Sequence, residues 1–384
     1  MNATAGGLKK ACLQLRKLRI IYHMGIRERK FIMAKKNVAI IGYGGMGGWH
    51  ASYIQKSDVV QLVGIYDINP ARCEAAVSHG IHAYPSLEAL LADPAVDLVV
   101  IATPNNHHHP LALAALAAGK HVLCEKPVAM SSAELSDMIE AANKAGRIFT
   151  VHQNRRWDGE FLVMREVYKS GDLGDVFHIE SRCHGSRGIP GDWRQLPEQG
   201  GGMILDWGIH LIDQMMGIVN DRALKRIWCK CDHITNELVD DGFKLEMYFE
   251  DDLTAHIEVG TSNFIQLSRF YMVGRNGAAL IPDWGKPVEE VWCTNYNEKE
   301  VVPVVTAAGI TKTMAPRDDK SLARKEIPQP ASDVHDYYRN LVRAMDGKEE
   351  QIVTHHQMMV DMKIMEAAFE SDRTGMPVDV DLKF

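Results

Sequence analysis

Between residues 35 and 152, short apolar runs alternate with longer amphipathic stretches. Residues 37–42 are mostly apolar and end in glycine, as a strand buried on both faces of a parallel sheet does where it enters a turn. Similar runs return at residues 59–66, 98–102, 121–124 and 149–152. Between them, residues 49–54, 70–79, 87–92 and 110–118 read as helices. A further helix opens at Ser131 with Glu134 at capping-box spacing and stops at Gly146. Strands separated by helices pair in parallel through right-handed crossovers. The pattern therefore predicts an α/β, doubly wound Rossmann sheet for residues 35–152.

The texture changes after residue 152. Residues 176–182, 225–233, 244–249, 255–259 and 269–273 read as strands with few helices between them, as in a half-buried antiparallel sheet. Residues 334–345 and 356–371 read as closing helices that pack back on the first domain. Residues 153–384 are thus expected to form an α+β domain with a mostly antiparallel open sheet. Residues 302–330, with Pro303, Pro316, Pro328 and Pro330, read as a long surface connection. Asp240-Asp241 and Glu250-Asp251-Asp252 read as solvated turns.

The first 34 residues fit neither pattern. Eight lysines and arginines stand among scattered apolar residues, opposed by Glu28 alone. A targeting peptide or a membrane-surface helix has this composition. Met33, however, opens a run that reads as a natural start, so residues 1–34 are expected to be a disordered extension outside the functional unit.

Composition narrows the function. A net charge of −7 provides no field to attract nucleic acid or an anionic membrane, and no apolar run reaches the roughly 18–20 residues that span a bilayer. Among seven scattered cysteines only Cys229 and Cys231 are close, and a lone C-x-C lacks the four-ligand pattern of a zinc site. Reduced thiols in a cytoplasmic protein are expected. His107-His108-His109 offers no metal site either, because consecutive side chains diverge.

Gly42-Tyr43-Gly44-Gly45-Met46-Gly47 matches G-x-G-x-x-G, after a predicted strand and before a helix, with Asp67 twenty residues beyond Gly47. In such a loop the first glycine allows the tight turn and the second lets backbone N–H groups approach a pyrophosphate. The third lets helix and strand pack closely. Asp67 would bind the adenosine ribose hydroxyls and repel a 2′-phosphate, which favours NAD; Arg72 nearby leaves NADP open. Thr103 and Asn105 stand at the carboxyl edge of the sheet, where ligands bind. Glu125-Lys126-Pro127 ends the next strand. Further on, a triple-glycine loop opens a helix on which Asp206, His210 and Asp213 fall on one face at i, i+4 and i+7.

Together these motifs resemble the Gfo/Idh/MocA family of sugar and cyclitol dehydrogenases, from about Lys35 to Leu382. The resemblance places the substrate-side lysine on Lys126, and the catalytic acid and histidine on Asp206 and His210. It places cofactor contacts on the glycine loop, Asp67, Thr103, Asn105, His108, Glu125 and Lys126. Trp193-Arg194 resembles the family's pair beside the nicotinamide. The segment from His152 to Asp158 is similar to one in scyllo-inositol dehydrogenases, where the residues at Asn154 and Arg155 border the substrate. The loop 186–193 departs from the family pattern.

The chemistry this implies is oxidation of a secondary hydroxyl of a cyclitol, sugar or sugar derivative. Such a hydroxyl must lose its proton, so a base near pKa 7 and a cation at the oxygen lower the barrier. His210 is read as the base and Lys126 as the cation, with exchanged roles left open, and Asp206 as their support. Alternatives are oxidation of the sugar unit of a glycoside, with 3-keto formation preceding aglycone elimination, and, from another class, a non-catalytic NAD(H)-binding redox sensor. A homodimer or homotetramer is implied by the resemblance.

Overall fold

Lys36–Ile41 (β1), Val60–Tyr66 (β2), Leu98–Ile101 (β3), His121–Cys124 (β4) and Phe149–Val151 (β5) form a parallel sheet in the order β2-β1-β3-β4-β5. The computed structural model describes residues 34–297 and 301–384. The expected extension, apart from Ala34, lies outside the described residues. Val38 to Ile41 and Leu98 to Ile101 are buried because helices cover both faces of the sheet. These helices are Gly45–Ile54 (α1), Pro70–Ser78 (α2), Leu87–Ala92 (α3), His108–Ala117 (α4) and Ser132–Ala145 (α5). Helix α1 begins four residues before the predicted start, since its opening glycines carry no apolar period. Ser131 caps α5 by accepting from the Glu134 N–H at 3.2 Å. The Glu134 carboxylate reaches back to the Met130 N–H instead, at 2.9 Å. The chain leaves β1 for β2 on one side and returns to β3 on the other, which opens a crevice at the carboxyl ends of β1 and β3.

After Gly159–Ser170 (α6) comes a second sheet. Its strands are Val176–His184 (β6), Leu224–Asp232 (β7), Gly242–Phe249 (β8), Thr254–Gly260 (β9), Phe270–Gly274 (β10), Gly277–Ile281 (β11) and Val288–Cys293 (β12). Residues 302–330, expected as a long surface connection, are mostly exposed and also contain a hairpin, Val304–Thr306 (β13) with Gly309–Thr311 (β14), and an edge strand, Leu322–Ile327 (β15). The edge strand packs against β12 on one side only and carries three consecutive charged residues, Arg324 to Glu326, so it shows little apolar pattern. Ile209–Ile218 (α7), His335–Met345 (α8) and His355–Thr374 (α9) are the remaining α-helices, and Val378–Leu382 (β16) completes a nine-stranded sheet in the order β15-β12-β11-β10-β6-β9-β8-β7-β16. Every pairing is antiparallel except β6 with β9.

Helices α7 and α9 cover one face of this sheet. The other face carries charges in a ladder: Arg182 pairs with Glu180 and, at 3.2 Å, with Glu258, while His256 meets Glu246 at 2.7 Å. Helix α8 lies against the first sheet. Its Tyr337 hydroxyl donates to the Val151 carbonyl at 2.6 Å, and Arg339 pairs with Asp58. Among the described residues no helix is long and apolar enough to cross a membrane.

Candidate active site

The glycine loop separates structural from ligand-facing glycines. Gly42 sits at φ +93°, and a Cβ there would strike the Ala102 carbonyl. A Cβ on Gly47 would overlap the Gly42 carbonyl oxygen. A Cβ on Gly44 would meet only the Arg72 guanidinium at ordinary contact distance, and one on Gly45 would meet nothing within 4 Å. Nothing in the protein requires these two to be bare; a pyrophosphate approaching the N-terminus of α1 would. Asp67 closes the loop from behind. Its carboxylate accepts from the Tyr43 N–H at 2.7 Å and the Asn69 N–H at 2.8 Å, and Arg72 stands 3.3 Å away. A cavity of about 290 Å³ follows, lined by Gly44–Met46 and Arg72, by Ala102–Asn105, and by Glu125, Lys126 and Asp206. Trp193 and Arg194 close it from the second half of the chain. Bare glycines at a helix N-terminus, a buried carboxylate beyond the loop and a cleft between them fit a dinucleotide.

Lys126 enters this cleft from the end of β4, before a cis Lys126-Pro127 bond. Its Nζ donates to the Asp206 carboxylate and to the Asp206 carbonyl, both at 2.8 Å. Arg194 Nε donates to the other Asp206 oxygen at 3.0 Å. Burial raises the Asp206 carboxyl, but Lys126 and Arg194 outweigh it and hold the group below its ordinary range. Asp206 belongs to a π-helical turn, Ile204–Gly208, which runs into α7. The expected single helix face is therefore not what forms. The wider turn changes the angular offset between Asp206 and α7, and Asp213 turns instead to Arg156, at 2.9 Å from its Nε. His210 lies in the first turn of α7, 6% exposed, with its ring 6.0 Å from that of Trp207 and its Nδ1 without a partner. Burial, then the Lys126 and Arg155 cations, push its imidazole well below the usual histidine range.

The turn carrying Asp206 is capped from a distance. Asp240, expected as a solvated residue, is buried; its carboxylate accepts from the Ile204 N–H at 2.8 Å and its carbonyl from the Met203 N–H at 3.0 Å. Burial raises its carboxyl to about 7. Asp241 is buried as well and accepts from Thr235 and Asn236. The Asp240 correction has a physical cause: amides left over at the start of a helix need acceptors, and here the chain supplies one from a distant turn.

Glu125 is held beside Lys126 by groups from across the chain. Its Oε1 meets His50 Nε2 and His152 Nδ1, each at 2.8 Å, and the Tyr338 hydroxyl lies 2.5 Å from His50 Nδ1. Burial raises the Glu125 carboxyl, but His152 and His50 outweigh it and hold the group well below the ordinary range. The ligand atoms of His50, Glu125 and His152 lie within 4.8 Å of one another, a spacing that suits a metal ion. The hydrogen bonds also close with both imidazoles neutral, Tyr338 donating to His50 and each histidine to Glu125.

Of the other residues singled out from the sequence, Thr103 and Asn105 line the cleft, and Asn105 donates to the Gly200 carbonyl at 2.8 Å, tying the glycine loop of the second half to it. His108 is buried behind the cleft, its ring nitrogens facing the carbonyls of Pro127 at 2.8 Å and Thr103 at 3.0 Å. Arg155 lies 4.2 Å from the Trp207 ring centre, in the lining of a second cavity that meets the first at Asp206. Asn154 is half-buried at the start of the short helical turn before it. His50, Trp207, Asp240 and Trp284 were not signalled by any motif.

Residues 36–153 match a family model described as an oxidoreductase family with an NAD-binding Rossmann fold, and residues 161–280 match the GFO/IDH/MocA C-terminal domain. A solved NAD-binding protein from Listeria innocua is 42% identical with a TM-score of 0.87, over 90% of this chain and 99% of that one. A D-glucoside 3-dehydrogenase from Escherichia coli is 32% identical over 50% of this chain and 56% of its own length. An NADP(+) scyllo-inositol 2-dehydrogenase from Bacillus subtilis is 31% identical over 47% of this chain and 50% of its own.

Proposed function

We propose, since this chain belongs to the GFO/IDH/MocA family of NAD-binding oxidoreductases, that it oxidises a secondary hydroxyl of a cyclitol, sugar or sugar derivative with NAD. The observation carrying this reading is Lys126 bonded at 2.8 Å to Asp206, the residue common to the dinucleotide cleft and the second cavity. When bound, nicotinamide supplies the acceptor for the hydride. The chain supplies the rest. Lys126 donates to the substrate oxygen and stabilises its alkoxide character. His210, kept neutral by its surroundings, takes the hydroxyl proton. Asp206 holds Lys126 in place, while Glu125 and Thr103, which line the cleft, would contact the bound dinucleotide. Residues 35–152 would bind cofactor and residues 153–384 substrate.

Asp67 supports NAD as the preferred dinucleotide, and Arg72 at the cleft supports NADP as the alternative. The half-buried charge ladder on the second sheet supports a homodimer or homotetramer through that face. Six free cysteines among the described residues support a cytoplasmic setting. The test incubates the purified protein with NAD or NADP and a panel of inositols, hexoses and glycosides, and follows the absorbance of the reduced cofactor. Turnover of at least one cyclic polyol or sugar is expected. Tight dinucleotide binding with no turnover across the panel would refute the enzyme in favour of a redox sensor.

A further inference from the structure

The cavity that meets the dinucleotide cleft at Asp206 measures about 490 Å³, in the range of pockets that hold ligands larger than one sugar ring. Two indoles line it. Trp207 follows Asp206 in the π turn, and Trp284 comes from the loop between β11 and β12, with ring centres 6.0 Å apart. Gly188 and Pro190, from the loop that departs from the family pattern, line the cavity too.

Trp284 is fixed from behind. The Arg269 guanidinium lies 4.5 Å from its ring centre, buried and 3.3 Å from Glu160, and Glu160 accepts from the Gly285 N–H at 2.9 Å. An indole braced in this way and still 39% exposed is a rigid apolar face held open at a cavity. The two arginines beside Trp284 are matched: Arg269 by Glu160 and Arg155 by Asp158, at 2.9 Å. The cavity therefore suits a neutral ring better than a phosphorylated one.

We propose that this cavity receives the second ring of a neutral glycoside, an aglycone or a neighbouring sugar, with Trp284 as its stacking platform. The proposal rests on the hydroxyl-oxidising reading, because the first ring must then lie at Asp206. It makes Trp284 a specificity-determining residue that discriminates glycosides from free sugars.

The test compares free hexoses of the gluco and galacto series with their phenyl glycosides and with cellobiose and lactose, on the wild type, Trp284→Ala, Trp284→Leu and Trp284→Phe. Two readouts are taken: kcat/KM with NAD, and calorimetric binding of the phenyl glycosides whether or not they turn over. The wild type should favour a phenyl glycoside over the free hexose by at least about tenfold. Trp284→Ala and Trp284→Leu should reduce that preference by about tenfold, and Trp284→Phe should restore most of it. Trp284→Leu keeps apolar bulk against Arg269, so the comparison survives if the alanine variant fails to fold. Turnover of free hexoses with no glycoside preference, or a preference that Trp284→Leu leaves intact, overturns the cavity assignment and leaves the oxidation reading standing. Glycoside binding that weakens in Trp284→Leu, without turnover of any compound, upholds the cavity and overturns the oxidation reading. Absence of both overturns both.

Discussion

Replacing Lys126 by methionine keeps the length and apolar stem of the side chain and removes its ammonium, so it separates charge from packing. In the folded protein Nζ has two acceptors, both on Asp206 at 2.8 Å, and each side chain of the pair is 14% exposed. At 2.8 Å and an effective dielectric constant near 20, the attraction is about 6 kcal/mol. Desolvation of the two partly buried charges offsets most of it. Asp206 also keeps Arg194 at 3.0 Å, so the net loss of stability should be about 1–2 kcal/mol. For a chain of this size that lowers Tm by several degrees at most. The catalytic loss should be larger. One donor aimed at a developing negative charge is worth about 3–4 kcal/mol, or roughly 10²–10³ in kcat. The assay is steady-state turnover at saturating NAD and substrate, with the carbinol C–H replaced by C–D in a parallel run. Both the drop in kcat and a larger primary isotope effect are expected, because C–H cleavage becomes limiting. A folded Lys126→Met protein that turns over within a few-fold of wild type would refute the reasoning.

Four further outcomes follow from the same geometry. His210→Asn should lower kcat/KM by at least about 10²-fold. On the proposed mechanism the base form of His210 is the active one and burial depresses its pKa, so the acid limb of the pH profile should lie below the ordinary histidine range; a limb centred above neutrality would remove His210 as the base. Asp67→Ala should lower the ratio of kcat/KM for NAD over NADP by at least about tenfold, since the change removes the carboxylate that repels a 2′-phosphate and frees Arg72; an unchanged ratio would remove Asp67 from cofactor choice. At His256, burial opposes the charged form, but hydrogen bonds to Glu246 and Glu258 carry the imidazole up to about 9. The folded value lies above the unfolded one, so its stabilisation is complete below about pH 6.5 and is lost as pH rises through about 9. The stability gap between wild type and His256→Gln, on the order of 2 kcal/mol at about pH 6 and followed through Tm, should close by about pH 10; a gap independent of pH would show that the ladder contributes through packing alone.

The Rossmann half was legible because its strands are buried on both faces and read as unbroken apolar runs, and because the glycine loop is set by backbone sterics that only glycine meets. The meeting of Lys126 with Asp206 could be anticipated from motif identity, although the residues lie eighty positions apart. What escaped was non-local or irregular. Helical spacing placed Asp213 beside Asp206 and His210, but spacing assumes a regular α-helix, and the chain forms a π turn at Ile204–Gly208. Asp240 looked solvated because an acidic pair in a turn-like stretch carries no sign of the amides it will cap thirty-six residues away. Trp284 sits on a loop, where no periodicity reports burial or exposure. The strand Leu322–Ile327 was hidden by its polar edge positions.

Glu125 bonds to His50 and His152, and His50 in turn to Tyr338, so the carboxylate next to Lys126 rests on residues drawn from both halves of the chain. During synthesis the glycine loop and Lys126 leave the ribosome well before the tyrosine that completes the buried network. A dinucleotide-binding fragment made without the last helices would keep its glycine loop and lose the inner support of its lysine. The support of Lys126 is thus shared between the two halves of the fold rather than held within the module that carries the motif.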